Sequence, residues 1–446
     1  MAKEKAGEKS KKLAEKILVQ NKHIAQLKPN DAKAAGDFCE GYKAFLDAAK
    51  TEREAVVYSV QVLEKAGYRL FEPGKKYKAG DKVYHVNRKK ALMALTMGRK
   101  PLEEGLRIAV AHIDSPRLDL KPNPLYEKDE LAYFKTHYYG GIRKYQWVAI
   151  PLSMHGVVVK QDGEAVELRM GEEPGEAMFT MTDLLPHLGT EQNKRTLPEG
   201  IKGEELNVLI GSLPFEDPEA QKAVKLETMR LLNEKYGITE HDFLRAEIEF
   251  VPAFKAADIG FDGSMVGAYG QDDRVCAYTA LMAEIDKKKP EYTTLCVLAD
   301  KEEVGSNGNT GLASAFMFHF MEELAAAHGA NHRQMYRASQ CLSADVNAAF
   351  DPTFPEPFEK RNSSLLNHGV VLTKYTGARG KSSTSDASAE FMGEMTRLFD
   401  EAGVVWQGGE LGKVDAGGGG TVAMFVANQN IDVVDVGVPV LSMHRS

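Results

Sequence analysis

The sequence predicts an α/β fold: a mixed, largely parallel central sheet with helices on both faces, plus an inserted β-rich domain. Apolar runs rich in β-branched residues at 106–111 and 292–299 are typical of buried parallel strands, and segments of helical spacing lie between such runs. From about 118 to 251 the pattern changes to short alternating segments punctuated by Gly and Pro. We therefore predict a discontinuous α/β domain, residues 1–117 and 252–446, around an insertion, residues 118–251.

Composition excludes several classes of protein. A chain of 446 residues with 43% hydrophobic content can bury a large core, and its formal net charge of -8 gives no general attraction to nucleic acid or anionic membranes. The charged residues 1–16 lack the apolar centre of a signal peptide, and no later run is long enough to span a bilayer. The four cysteines form no CxxC pair, as is typical of reduced core residues. We expect a cytoplasmic protein that binds neither nucleic acid nor membrane.

In chain order, the residues before the insertion predict a surface helix, two further helices and two short strands. The charged, Ala-rich residues 1–30 predict the surface helix, and apolar residues at helical spacing predict helices at 31–46 and 55–66. Turn-forming residues bound the candidate strands at 68–72 and 82–87. These elements supply core and edges rather than chemistry.

The insertion is predicted to combine strands with helical or irregular segments. Strands are predicted at 147–151, 156–160 and 165–170, and helical or irregular segments at 183–188 and 218–236. An insertion of this kind is a natural lid or subunit contact. Its functional candidates are His155 and His187, although a lone histidine is more often structural.

After the insertion the α/β pattern resumes. Helical spacing predicts helices at 275–285 and 312–324, and apolar runs predict strands at 340–344, 370–372 and 433–436. The strands at 106–111 and 292–299 belong to the same sheet.

Two adjacent carboxylates, Glu302 and Glu303, follow the strand 292–299 closely. Open α/β sheets bind ligands at the carboxyl ends of their strands, so both residues occupy a site position. Adjacent carboxylates repel, and holding them together becomes favourable if one binds a cation and the other takes up protons. Taken alone, this acidic segment is more simply a solvated turn, because charge is normally exposed.

The strand 106–111 runs directly into His112 and Asp114. In an extended backbone these two side chains point to the same side, so the imidazole can bind a metal while the carboxylate orients it. Asp272 opens a predicted helix and can simply cap it, and Asp345 after the strand 340–344 can simply form a turn.

Taken together, five residues near strand ends or a helix start share imidazole or carboxylate chemistry: His112, Asp272, Glu303, Asp345 and His444. Such donors suit zinc, cobalt or manganese, and the absence of cysteine from the set argues against a structural zinc site. The set has the composition of a two-metal hydrolase, in which one carboxylate bridges both ions. A remaining carboxylate, here Glu302, then receives the proton of the attacking water.

The sequence resembles the aspartyl-aminopeptidase-type family of dinuclear metallopeptidases, metallopeptidase family eighteen. Five motifs in the family's order carry the resemblance: AHIDSP at 111–116, QDDR at 271–274, DKEEVGS at 300–306, SADVN at 343–347 and LSMH at 441–444. The resemblance covers the chain from about residue 30 to its end. One departure is that this chain stops at Ser446, whereas members of the family usually continue into a further helix.

The resemblance implies two divalent metal ions, zinc first with cobalt or manganese as alternatives, held by two pairs of ligands and one bridge. The pairs are His112 with Asp345 and Glu303 with His444, and the bridge is Asp272. Glu302 is implied as the general base and acid, and Asp114 as the residue that supports His112. Asp273 and Arg274 look like residues that surround the ligands.

The resemblance also implies how the chain assembles and where substrate binds. Members of the family dimerise through the inserted domain and assemble into a hollow tetrahedral homododecamer. A histidine from a neighbouring insertion reaches the site in this family, and His187 is a better match for it than His155. An acidic substrate side chain needs a cation, for which Lys374, Arg379 and Lys381 are candidates, although solvated loop charges are the simpler explanation.

The leading interpretation is a zinc-type dinuclear metalloaminopeptidase, a hydrolase that removes an acidic or neutral N-terminal residue from peptides. One alternative keeps the metal pair and makes the protein a deacylase or amidase, because related metal sites occur on shared folds. A second alternative is a non-catalytic assembly protein. Glu302 argues against that alternative, because a vestigial site needs no base in addition to five ligands.

Overall fold

The computed structural model describes residues 2–19, 22–24 and 29–444. Arg445 and Ser446, where the sequence departs from the family pattern, lie outside the described residues. The helices are α1 (Ala2–Ile17), α2 (Pro29–Ala48), α3 (Glu52–Lys65), α4 (Lys144–Trp147), α5 (Ala223–Tyr236), α6 (Gln271–Ile285), α7 (Phe316–His328), α8 (His332–Ala338), α9 (Ala389–Glu401) and α10 (Ala423–Ala427). Among these helices, none combines the length and apolar character that crossing a bilayer requires.

The first ten strands run from residue 69 to residue 211. They are β1 (Arg69–Leu70), β2 (Lys82–Asn87), β3 (Ala91–Thr96), β4 (Arg107–His112), β5 (Arg117–Lys128), β6 (Leu131–Tyr139), β7 (Leu152–Val159), β8 (Ala165–Met170), β9 (Thr180–Met181) and β10 (Asn207–Gly211). The later strands are β11 (Ala246–Pro252), β12 (Ala257–Ile259), β13 (Met265–Gly267), β14 (Thr294–Ala299), β15 (Gln340–Ser343), β16 (Asn347–Ala348), β17 (Val370–Thr373), β18 (Trp406–Gly408), β19 (Asp432–Gly437) and β20 (Pro439–Val440).

Across the described residues, a central sheet of nine strands has the order β1-β2-β3-β14-β4-β15-β19-β17-β18. Its middle is parallel, because β14 and β15 both pair with β4 in parallel and β19 pairs with β15 in parallel. Strand β3 joins β14 antiparallel, and β17 joins β19 antiparallel. The predicted mixed, largely parallel sheet is confirmed.

Helices cover both faces of the central sheet. Successive side chains along a strand point to opposite faces, so the two sets of side chains on β3 show which helices lie on each face. On β3, Met93 and Leu95 pack into one apolar core with side chains of α7 and α8. Leu92 and Ala94 of the same strand pack into a second core with side chains of α2, α3 and α6. Burial on both faces explains why these strands read as continuous apolar runs.

A second sheet contains seven strands of the described chain, in the order β8-β7-β11-β5-β6-β10-β9. Its strands lie between Arg117 and Pro252 and pair antiparallel. It has an apolar core of its own, which includes Phe134, Trp147 and Phe250. The sheet occupies the stretch in which the insertion is predicted, and the division of the chain into two domains at residues 117 and 252 stays a prediction.

Two local predictions are wrong. Residues 147–151 do not form a strand: α4 ends at Trp147, and the apolar character of this stretch reflects the burial of Trp147, which is 1% exposed. Strand β3 is missing from the sequence prediction, because Ala, Leu and Met favour helices by intrinsic propensity. Burial of all six residues of β3 inside the sheet overrides that propensity.

A buried ion-pair network joins α3 to the second sheet. Arg117 Nη1 lies 3.2 Å from Glu52 Oε2, and Arg117 Nε lies 3.2 Å from Glu249 Oε2. Lys90 Nζ lies 3.5 Å from Glu52 Oε1. Burial opposes ionisation of Glu52, but Arg117 and Lys90 outweigh it and lower the pKa of Glu52 to about 2. The boundary between the two sheets is therefore charged inside rather than apolar.

His155 belongs to a second buried cluster at the same boundary. Its Nδ1 lies 2.8 Å from Glu54 Oε1 on α3, and its Nε2 lies 3.0 Å from Ser153 Oγ and 3.4 Å from Glu172 Oε1. Burial opposes protonation, but hydrogen bonds with Glu172 and Glu54 raise the pKa of His155. Because both ring nitrogens have partners and the side chain is buried, we infer that His155 stabilises the fold of its own chain.

The substitution His155→Gln is expected to lower the melting temperature by several degrees. It removes the cation between two carboxylates, and breaking a buried ion pair by removing one partner costs about 3–5 kcal/mol. His137→Gln changes an exposed histidine of the same sheet and is the matched control, with little expected effect. Differential scanning calorimetry measures the melting temperatures of both variants. Equal melting temperatures would contradict the proposal that His155 stabilises the fold.

The pH dependence of this stabilisation follows from the raised pKa of His155. Protonated His155 stabilises the fold fully below the unfolded-state pKa of about 6.5, and the contribution is lost as pH rises through the higher folded-state value. The gap in melting temperature between the wild type and His155→Gln should therefore narrow as the buffer becomes alkaline.

Candidate metal centre

Five candidate segments meet near the carboxyl ends of the inner strands of the central sheet. Strands β4, β14 and β15 run parallel, and Ala299 at the end of β14 is paired with His112 at the end of β4. Their carboxyl ends therefore meet. Glu302 and Glu303 follow β14, Asp345 follows β15, His444 follows β20, and Asp272 lies at the start of α6.

Asp272 lies between two imidazoles. Its Oδ1 lies 3.0 Å from His112 Nε2, and its Oδ2 lies 3.0 Å from His444 Nε2. Burial opposes ionisation, but hydrogen bonds with His112 and His444 outweigh it and lower the pKa of Asp272 to about 2. One ionised carboxylate therefore presents a separate oxygen to each of two histidines.

Each histidine presents Nε2 to the centre, because its Nδ1 donates to a backbone carbonyl. His112 Nδ1 lies 3.0 Å from the carbonyl oxygen of Asp114, and His444 Nδ1 lies 2.7 Å from that of Gly141. A carbonyl oxygen only accepts hydrogen bonds, so Nδ1 carries the proton in both rings. The Nε2 atoms are therefore the nitrogens that a metal ion would take.

Asp345 and Asp273 form a second group with His112. One candidate ligand atom from each of these three residues lies within 4.8 Å of the others. Burial raises the pKa of Asp345 well above its usual range, and Asp273 and Asp272 add to the rise. Sequence reasoning places Asp273 only around the ligands, whereas the structure brings its carboxylate into the cluster.

Glu302 and Glu303 sit on a tight turn after β14. The turn Glu302–Val304 is a single 3-10 turn, flanked by Lys301 and Gly305 in the left-handed conformation. Glu302 Oε2 lies 3.8 Å from His112 Nε2, and Glu303 Oε1 lies 3.5 Å from His444 Nε2. The two carboxylates are therefore directed to different histidines.

The pKa values of this pair are raised by their surroundings. Burial raises the pKa of Glu302 to about 7, against the opposing effect of His112. Burial and the charge of Asp272 raise the pKa of Glu303 to about 8. Crowded buried carboxylates resist ionisation, and a cation bound among them lowers their pKa values.

Asp114 is a buried acceptor behind the cluster. Its Oδ1 lies 3.3 Å from His112 Nδ1 and accepts from the backbone N–H of Glu302 at 3.2 Å. Its Oδ2 accepts from the backbone N–H of Glu303 at 3.2 Å and from the hydroxyl of Tyr139 at 2.7 Å. Asp114 therefore holds a histidine and the glutamate turn with one carboxylate.

Tyr139, the last residue of β6, and the two glycines after it contact the candidate centre from the second sheet. These contacts are not predicted from the sequence. Gly140 has φ +73, and a Cβ there would lie 3.3 Å from Glu303 Cβ. Burial and the charge of Asp114 raise the pKa of Tyr139, so its phenol remains a donor. The two adjacent glycines after two tyrosines are the only sequence signal for a close approach here.

The donor set fits a divalent metal. Glu303 Oε1 and Asp273 Oδ1 are buried, and neither finds a hydrogen-bond partner among the described residues. Imidazole nitrogens and carboxylate oxygens are the ligands of catalytic zinc sites, and ligand atoms of His112, Asp272 and Glu303 lie within 4.8 Å of one another. Buried carboxylate oxygens without donors are the groups that a cation satisfies.

The two candidate substrate residues are not members of the metal-binding groups found among the described residues. Lys374 forms an ion pair with Asp386, which also accepts from Lys381 at 2.8 Å. His187 is exposed and lies in the loop after β9. Both assignments stay predictions.

An α/β sheet that gathers buried imidazoles and carboxylates at its strand ends is typical of a metal-dependent hydrolase. The chain belongs to the M18 family, described as Aminopeptidase I zinc metalloprotease, whose sequence pattern matches residues 45–446. The protein is therefore a metal-dependent aminopeptidase. The family resemblance and the enzymatic interpretation drawn from the sequence are confirmed.

Individual relatives agree with this family. A probable M18 family aminopeptidase 1 from Clostridium acetobutylicum is 49% identical over 411 residues, which are 90% of this chain and 88% of the relative. The crystal structure of an M18 family aminopeptidase from Thermotoga maritima superposes with a TM-score of 0.91 at 43% identity, covering 96% of this chain and 94% of that one. A dodecamer of mApe1 from S. cerevesiae shares the fold, with a TM-score of 0.73, 19% identity, and coverage of 92% and 91%.

Proposed function

We propose that the protein removes the N-terminal residue of peptides by means of two divalent metal ions bridged by Asp272. The observation that carries this proposal is the pair of 3.0 Å contacts from separate oxygens of Asp272 to His112 Nε2 and His444 Nε2. A carboxylate placed in this way is suited to bind one ion through each oxygen. Asp272 would then hold both ions together with the other proposed ligands, and the ions would supply Lewis-acid chemistry.

The proposed ligands fall into two groups around Asp272. Asp345 completes the proposed group of His112. Glu303 completes the proposed group of His444, and its Oε1 lies 3.5 Å from His444 Nε2. Asp273 accepts from the backbone N–H of His112 at 3.4 Å, which supports a part in placing that histidine. Zinc is the proposed metal, since the family is one of zinc proteases and the donors are nitrogen and oxygen.

Glu302 is the proposed general base and acid. When bound, the metal pair supplies Lewis-acid polarisation of the scissile carbonyl and lowers the pKa of water. The Glu302 carboxylate accepts a proton from the attacking water and returns it to the leaving amine as the C–N bond breaks. Burial raises the pKa of Glu302 to about 7, and the positive charge of bound metal ions would lower it again, so that the carboxylate would be ionised and able to act as a base at neutral pH. Asp114 holds this residue in place through the backbone N–H of Glu302 at 3.2 Å.

The proposed substrate is a peptide with a free N-terminus. Several buried carboxylates converge on the centre, and either they attract the ammonium form of the N-terminus or the neutral amine binds a metal directly through its lone pair. The proposed first residue of the peptide is acidic or neutral. Lys374 is the proposed cation for an acidic side chain, and it would have to exchange Asp386 for the substrate.

The chain is also proposed to assemble through its second sheet into a tetrahedral homododecamer. Several large apolar side chains between residues 178 and 213 are at least half exposed: Met178, Leu184, Leu185, Leu188, Leu197 and Leu213. Clustered exposed apolar side chains mark interaction surfaces. His187 lies among them, which supports its proposed reach into a neighbouring subunit's site. A cytoplasmic location, expected from the sequence, remains part of this proposal.

Zinc analysis of two aspartate variants tests the bridge. The wild type is expected to hold about two zinc ions per chain, Asp345→Ala about one, and Asp272→Ala less than one, because the bridge serves both ions. Mass spectrometry of metal content after exhaustive dialysis measures the three values. A wild type that holds a single zinc ion tightly, with the same zinc content in Asp272→Ala, would contradict the two-metal proposal.

Neighbouring glutamates provide a matched test of the base. Glu302→Gln is expected to lower kcat by a factor of about 10² to 10⁴ while the zinc content stays at the wild-type level, because the amide cannot accept a proton. Glu303→Gln is expected to lose metal instead, because the residue is a proposed ligand. Parallel measurements of kcat and zinc content distinguish the two roles, and near-normal turnover by Glu302→Gln would remove it from the base role.

Acetylated peptides test the substrate class. Free Asp-, Glu- and Leu-initiated peptides are expected to be cleaved, whereas their N-acetylated forms should react far more slowly, because acetylation removes both the charge and the lone pair of the amine. Liquid chromatography of the products gives the rates, and the three free peptides rank the first residue. Faster reaction of the acetylated forms would favour the deacylase alternative.

A further inference from the structure

The hydroxyl of Tyr139 reaches the metal centre from the second sheet. Tyr139 is the last residue of β6, is 7% exposed, and donates to Asp114 Oδ2 at 2.7 Å. The backbone N–H groups of Glu302 and Glu303 reach the same carboxylate at 3.2 Å each. Of these donors the phenol is the nearest to the carboxylate. It comes from the second sheet, whereas the two backbone donors lie in the turn after β14 of the central sheet.

The ring of Tyr139 is held in place by cations. Arg117 Cζ lies 3.9 Å from the ring centre, and Lys301 Nζ lies 5.5 Å from it. Arg117 is itself fixed by Glu52 at 3.2 Å and by Asp119 at 2.8 Å. The direction of the hydroxyl is therefore set by the buried network between the two sheets.

We propose that Tyr139 is a positioning residue for the metal pair, acting through Asp114. Its hydroxyl fixes the carboxylate that orients His112 and anchors the turn of Glu302 and Glu303. A phenol is neutral, so it restrains Asp114 without cancelling the negative charge that the imidazole uses. This inference rests on the proposed function, because it takes His112 and Glu303 as ligands.

The substitution Tyr139→Phe isolates the hydroxyl, because the phenyl ring keeps the packing and the contact with Arg117. Tyr133→Phe is the matched control. It removes a hydroxyl from the same strand, where the ring of Tyr133 stacks on Tyr126 with centres 5.4 Å apart. A structural role common to any tyrosine of β6 would affect both variants alike.

The test compares zinc release from the full-length, zinc-loaded proteins into a chromogenic chelator. Residues that orient metal ligands typically contribute a factor of about 10 to 100 in affinity, so Tyr139→Phe should release zinc faster by about that factor. Tyr133→Phe should remain within about twofold of the wild type. The effect on peptide cleavage should appear in kcat rather than KM, because the hydroxyl is directed at Asp114.

A second variant covers the case in which Tyr139→Phe folds poorly. Incorporation of 3-fluorotyrosine at position 139 keeps the hydroxyl and makes it a stronger donor to Asp114, so the rate of zinc release should change measurably from that of the wild type. Unchanged release in a folded variant of either kind would overturn the positioning role. Wild-type protein that holds no zinc pair or fails to cleave free peptides would instead overturn the proposed function, so the two failures are distinguishable.

Discussion

The carboxylate of Asp114 is the contact on which the centre depends. It is fully buried and meets four donors: the His112 imidazole, two backbone N–H groups of the glutamate turn, and the phenol of Tyr139. Burial opposes ionisation, but His112 and Tyr139 lower the pKa of Asp114. An anion held so firmly fixes the relative positions of β4, β14 and β6 at the place where chemistry occurs.

Much of the proposed ligand set could be predicted from sequence, because the ends of parallel strands can be recognised in it. Apolar runs that stop at a charged residue mark the carboxyl ends of parallel strands, and His112, Glu303 and Asp345 all follow such runs. Asp272 opens a helix rather than following a strand, so its place depended on the family resemblance. The structure brings all of them together, with His444, around one edge of the central sheet.

Contacts between distant segments could not be predicted in this way. Periodicity reports which face of an element is buried but not what lies against it, so neither Tyr139 on Asp114 nor His155 on Glu54 has a local signal. The approach of the Asp273 carboxylate to His112 and Asp345 has no local signal either. Strand β3 shows the converse failure, in which burial overrides a helical propensity.

The charged boundary between the two sheets bears on how the molecule responds to heat. Arg117 and Glu52 are almost fully buried, so their burial carries a large desolvation cost at room temperature. Hydration of charged groups becomes less favourable as temperature rises, whereas stabilisation by apolar burial levels off. The boundary therefore loses less of its strength on heating than the apolar cores on either side of it. The contacts of Arg117 and Tyr139 that join the second sheet to the candidate metal centre should therefore weaken less on heating than apolar contacts do.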